Sequence, residues 1–122
     1  MSMYEVRSAF LQNLLSYAQL DPRLLGVAVG GSWLHNAMDE YSDLDLIIVV
    51  EPEHIGQVTN ERLALAKSLG NLLAGFTGEH VGEPRLIICL YGPPLLHVDL
   101  KFIALPDLGQ RVEDPAVLWE RD

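Results

Sequence analysis

Between Val27 and Val50 the chain runs from a short apolar segment into Gly30-Gly31-Ser32, crosses a polar stretch, and then reads Asp43-Leu44-Asp45 at the head of Leu46-Ile47-Ile48-Val49-Val50. The last five residues are β-branched or leucine without helical spacing, which predicts a strand buried on both faces. On a strand, residues two apart share a face, so Asp43 and Asp45 point the same way. Two carboxylates fixed side by side repel unless a cation lies between them. Oxygen-only donors at that position favour a hard ion such as magnesium.

The rest of the chain supplies support for this stretch. Met3 to Leu20 carries apolar residues at three- and four-residue spacing, the pattern of an amphipathic helix, and Asp21-Pro22 stops it. Leu24 to Val29 reads as a strand leading into the glycines, and Ser32 is a favourable N-cap for a short helix starting near Trp33. Thr59 to Leu73 predicts a second long helix with Leu63, Ala66, Leu69, Leu72 and Leu73 on one side, and Gly75 to Pro84 a loop. Leu86 to Tyr91, the Gly92-Pro93-Pro94 turn and Leu95 to Ala104 predict a strand hairpin. The expected fold is therefore α/β or α+β, a small mixed sheet of about four strands with flanking helices. Residues 1–122 read as a single domain, with 105–122 a polar tail in which Val117-Leu118-Trp119 serves as a docking segment or opens a missing domain.

Composition limits the partners. Seventeen acidic residues against eight basic ones give a formal charge of −9 with no basic cluster, which disfavours a polymeric nucleic acid but permits a metal-masked nucleotide. The apolar runs are far shorter than the roughly 20 residues that cross a bilayer. The single cysteine, Cys89, cannot form an internal disulfide and sits in an apolar run. A reduced, cytoplasmic protein is the expectation.

A third carboxylate lies in His97-Val98-Asp99-Leu100-Lys101, where alternation puts His97, Asp99 and Lys101 on one face and Val98, Leu100 and Phe102 on the other. Polar side chains along one face of an otherwise apolar strand are costly to bury without partners. Should this strand lie beside the one bearing Asp43 and Asp45, a strand spacing of roughly 4.8 Å gathers three carboxylates around one or two metal ions. Paired metals roughly 3.5 to 4 Å apart stabilise the attacking and leaving oxygens of an in-line phosphoryl displacement. The glycines let a backbone approach phosphate closely, and Ser32 adds a hydroxyl to free helix-terminal amides.

Gly30-Gly31-Ser32, ten residues, Asp43-Leu44-Asp45 and a later strand aspartate resemble the nucleotidyltransferase superfamily typified by DNA polymerase beta and the kanamycin nucleotidyltransferase. The resemblance runs from the first helix to the fourth predicted strand. It implies the nucleotidyltransferase fold and magnesium-dependent transfer of a nucleoside monophosphate, AMP from ATP, to a hydroxyl of a small aminoglycoside-like molecule or a protein. Asp43, Asp45 and Asp99 would be the catalytic, metal-holding residues, Asp99 alternatively acting as base. Gly30, Gly31, Ser32 and Lys101 would hold the nucleotide. Larger relatives continue into a helical acceptor-binding domain, whereas minimal ones often silence a partner toxin, so a second copy or a partner protein is the implied complement here. The chain departs from the family at Leu34-His35-Asn36-Ala37, where many members carry glycine.

Plainer readings stand beside these. Asp43 and Asp45 also fit turn chemistry, Ser32 an ordinary cap, and Asp99 a salt bridge to Lys101 or Arg85. Lys101 fits a phosphate contact or simple charge balance, and His97 a structural or an acceptor-side role. A catalytically idle interaction module of the same fold is the alternative from a different functional class. Rival motifs fail: there is no Walker glycine-lysine loop, the second glycine of a nucleophile elbow is Leu34, and His35, His54 and His80 are too dispersed for a zinc set.

Overall fold

The apolar strand opened by Asp45 lies near the middle of a six-stranded mixed sheet, paired on one side with a parallel strand and on the other with an antiparallel one. The structure, a computed structural model, describes residues 3–29, 44–77, 85–104 and 116–121. In chain order the elements are α1 (Met3–Leu20), β1 (Leu24–Val29), β2 (Leu44–Val50), a 3₁₀ turn (Pro52–His54), α2 (Ile55–Asn60), α3 (Arg62–Ser68), β3 (Leu72–Thr77), β4 (Leu86–Tyr91), β5 (Leu96–Ala104) and β6 (Ala116–Glu120). The sheet order is β3-β4-β5-β2-β1-β6. The architecture is broadly α+β, with three helices among the described residues.

Strand alternation divides the sheet into two faces. Leu44, Leu46, Ile48 and Val50 of β2 join Val98, Leu100 and Phe102 of β5, the helix residues Phe10, Leu14, Val58 and Leu65, and Leu69 just after α3 in the main core. Ile47, Val49, Ala28 and Ile103 form a second, smaller cluster that contains no residue of α1, α2 or α3. Hence β2 needs apolar residues on both sides, which is why its sequence is a continuous run rather than an alternation. No described helix is long and apolar enough to cross a membrane.

Four predicted boundaries hold well: α1, β1, β4 and the β4–β5 hairpin match their sequence signals. The second long helix does not. The segment Ile55–Ser68 breaks at Glu61, and Arg62 Nη1 donates to the Thr59 carbonyl at 2.6 Å, taking an acceptor from the helical ladder. Leu65 rather than Leu63 faces the core; Leu63 stays 42% exposed.

Beyond the helix, Leu72–Thr77 is an edge strand where the sequence predicts a helix end and a loop. Its pairing with β4 decides this, and Gly75 fits it: a Cβ there would come within 3.0 Å of Leu63 Cδ1. The tail likewise yields β6, paired antiparallel with β1, so the sheet has six strands rather than four. Leu118 and Trp119 pack against the main core. Arg121 then reaches back to the end of α1, donating to the carbonyls of Ala18 at 3.0 Å and Asp21 at 3.2 Å while stacking over Trp119 at 5.0 Å. Those carbonyls also accept backbone amides, Asp21 N on Ala18 at 3.3 Å and Leu24 N on Asp21 at 3.0 Å, so the guanidinium adds a second donor to each and fastens the edge strand to the end of α1.

Candidate functional site

Strand pairing brings together two of the three aspartates singled out by the sequence. In the parallel β2–β5 ladder Asp45 is the register partner of Asp99, with Leu44 opposite Val98 and Leu46 opposite Leu100. Neighbouring strands lie roughly 4.8 Å apart, and register partners face the same side. Asp45 is exposed and Asp99 half-buried, while their neighbours on either side are buried, so both carboxylates project from the face away from the helices. Asp43, Gly30, Gly31 and Ser32 lie outside the described residues.

Three features give this position its chemistry. Like charges directly opposite on adjacent strands destabilise the pair, so a cation between them is favoured. His97 approaches Asp99 from two residues along β5, with Nε2 3.0 Å from Oδ1, and holds that carboxylate in one orientation. Lys101 follows on the same face, half-buried, with Leu86 and Ile47 as its register partners. A carboxylate pair, an imidazole and an ammonium thus occupy one end of an otherwise apolar surface. The two carboxylates offer a cation hard oxygens, the donors that suit magnesium.

No protein-family model matches the sequence, and no curated protein sequence matches it.

Other chemistry-bearing groups fall elsewhere. Cys89 is a free thiol buried under the main core, and loss of solvation pushes its pKa up to about 11, so it is protonated and shielded at neutral pH rather than a nucleophile. Tyr91, packed on Phe10 at 4.9 Å, donates its hydroxyl proton to the Ala66 carbonyl at 2.6 Å, and burial raises its pKa too. Both residues are part of the packing between β4 and the helices.

Two arrangements were not anticipated. Glu51, Glu53 and His54 bring one ligand atom each within 4.8 Å of one another, where the sequence shows only a strand end and a dispersed histidine. They are near neighbours in a single turn after β2, at the opposite end of that strand from Asp45, so local geometry accounts for the cluster. The second is Phe76, 51% exposed, which pairs in register with Ile88; Ile88 in turn pairs with Asp99. The row Phe76–Ile88–Asp99–Asp45 therefore crosses four strands on one face. Its sequence signal, an aromatic near a glycine, is indistinguishable from a loop until β3 is paired.

Proposed function

We propose that this protein is a magnesium-dependent nucleotidyltransferase that moves a nucleoside monophosphate, AMP from ATP, to a hydroxyl of a small molecule or protein. The observation that carries the reading is the alignment of Asp45 with Asp99 on adjacent parallel strands, on the sheet face that no residue of α1, α2 or α3 joins among the described residues. The sequence adds Asp43 two residues before Asp45 and the Gly30-Gly31-Ser32 segment directly after β1, which together resemble the nucleotidyltransferase pattern and its fold.

Asp45 and Asp99 would hold magnesium, with Asp43 as the further ligand. The ion, when bound, neutralises phosphate oxygens and steadies the charge that builds up during displacement. Asp99 is placed to ligate that ion or to take the proton of the acceptor hydroxyl. His97, through its contact at 3.0 Å, keeps the Asp99 carboxylate turned to the face. Lys101 lies two residues further along and would contact a phosphate oxygen, and the amides of Gly30 and Gly31 with the Ser32 hydroxyl would cradle the triphosphate.

The test is direct. Calorimetric titration of the full chain with ATP should show binding that requires magnesium and that disappears in Asp43→Asn and in Asp45→Asn. Unchanged binding in those variants would refute the proposal. Mass spectrometry of small hydroxyl compounds and proteins incubated with the enzyme, magnesium and ATP then identifies the acceptor by its added nucleotide.

A further inference from the structure

The two carboxylates are not the only metal-binding groups on the open face. His97 precedes Asp99 by two residues on β5, so alternation sets both side chains on one face, and Nε2 of the ring stands 3.0 Å from Asp99 Oδ1. Donors at neighbouring corners of a six-coordinate ion, with bonds of about 2.1 Å, lie about 3.0 Å from one another. The pair is thus already spaced as a chelate, and an ion binds there by displacing the hydrogen the two share.

Depth separates a ligand from a support. A residue that only orients a metal-binding carboxylate sits behind it, further from solvent. Here the His97 side chain is 36% exposed and that of Asp99 32%, so ring and carboxylate reach the surface at one level. Asp45, exposed and in register with Asp99, closes the set from β2. The other described histidine has no such arrangement: His54 Nε2 and Glu53 Oε1 are 3.9 Å apart, and the Glu53 side chain is 71% exposed on a turn.

We infer that His97 is a ligand of the ion on this face, through Nε2, and that the face selects manganese(II) over magnesium. Magnesium dehydrates reluctantly and keeps oxygen and water ligands. Imidazole suits the first-row transition dications, and among these manganese is the one that carboxylates also favour. Magnesium, held by the two carboxylates alone, is then the more weakly bound ion. The inference rests on the carboxylate face being the ion site proposed above, and not on nucleotidyl transfer itself.

The experiment titrates the full chain, without nucleotide, with manganese(II) and separately with magnesium, and records pulsed electron paramagnetic resonance of the manganese-loaded protein. The parent should show the nitrogen coupling of a bound imidazole. His97→Gln keeps a hydrogen-bond donor beside Asp99 but has no ring nitrogen. That variant should lose the coupling and bind manganese about ten-fold more weakly, with its magnesium affinity changed by less than about two-fold. His54→Gln should behave as the parent does. A parent without nitrogen coupling overturns the inference. So does a coupling that survives His97→Gln, or an equal loss of both ions in that variant, which would make His97 a support for Asp99 alone. The transfer reading fails separately, as ATP binding unaffected by Asp43→Asn and Asp45→Asn.

Discussion

The two faces of the sheet are built from the same strands yet answer to different demands. The helix-covered face is a dense apolar core in which Leu24, Leu46, Ile48, Val98, Leu100 and Phe102 are fully buried. Along β2 and β5 the opposite face is apolar toward the C-terminal ends, at Ile47, Val49 and Ile103. Toward their N-terminal ends it turns to Asp45, His97 and Asp99. The difference teaches that β2 and β5 carry the packed core on one side and, at their N-terminal ends, the carboxylates on the other, residue by alternate residue. Substitutions should therefore sort by face rather than by strand.

The largest effect belongs to the covered face. Phe102→Ala should cost about 3–5 kcal/mol in urea unfolding, the range for truncating a buried aromatic. A loss below about 1 kcal/mol would mean that the two faces do not divide as described.

Tyr91→Phe is the next test, because it removes the donor from the Ala66 carbonyl without emptying space. The expected loss is about 1–2 kcal/mol, the penalty for a buried acceptor left without its bond.

The same face predicts an alkaline limit. The Cys89 thiol rises from an ordinary 9.0 to about 11 because burial disfavours the thiolate. Its folded pKa lies above the unfolded one, so its contribution to stability is fully present below pH 9.0 and is lost as pH rises through about 11. Unfolding midpoints measured from pH 8 upward should fall over this window, and Cys89→Ala should fall less steeply.

The smallest change in stability is expected on the open face, and it should have the opposite sign. Asp45→Asn removes one of two like charges held in register, so the metal-free protein should gain about 0.2–1 kcal/mol. Magnesium should raise the thermal midpoint of the parent and leave that of the variant unmoved. A parent that ignores magnesium would break the comparison, since the open face would then hold no ion.

How much of this was legible beforehand differs by element. The period-two pattern of His97-Val98-Asp99-Leu100-Lys101 told which side chains share a face, and burial follows it residue by residue. The apolar run of β2 announced a central strand. β3 was hidden because Leu72 and Leu73 fall in step with the apolar residues of the preceding helix, and Gly75 looks like a loop residue. β6 was hidden because five residues in a polar tail become a strand only where the free edge of β1 receives them. The sequence leaves His97 equally a structural or a functional residue, and only the fold sets its ring 3.0 Å from Asp99.

What the sequence by itself determined is local: the first helix, the central strand and which residues alternate to which side of it. Those properties follow from periodicity and side-chain type, which act over a few residues. What only the tertiary structure decided is the pairing of β2 with β5 in the register that sets Asp45 beside Asp99, and the placing of Phe76 in the same row. Register between distant strands is fixed by how two buried faces fit against the helices at once, and no window of sequence contains both sides of that fit.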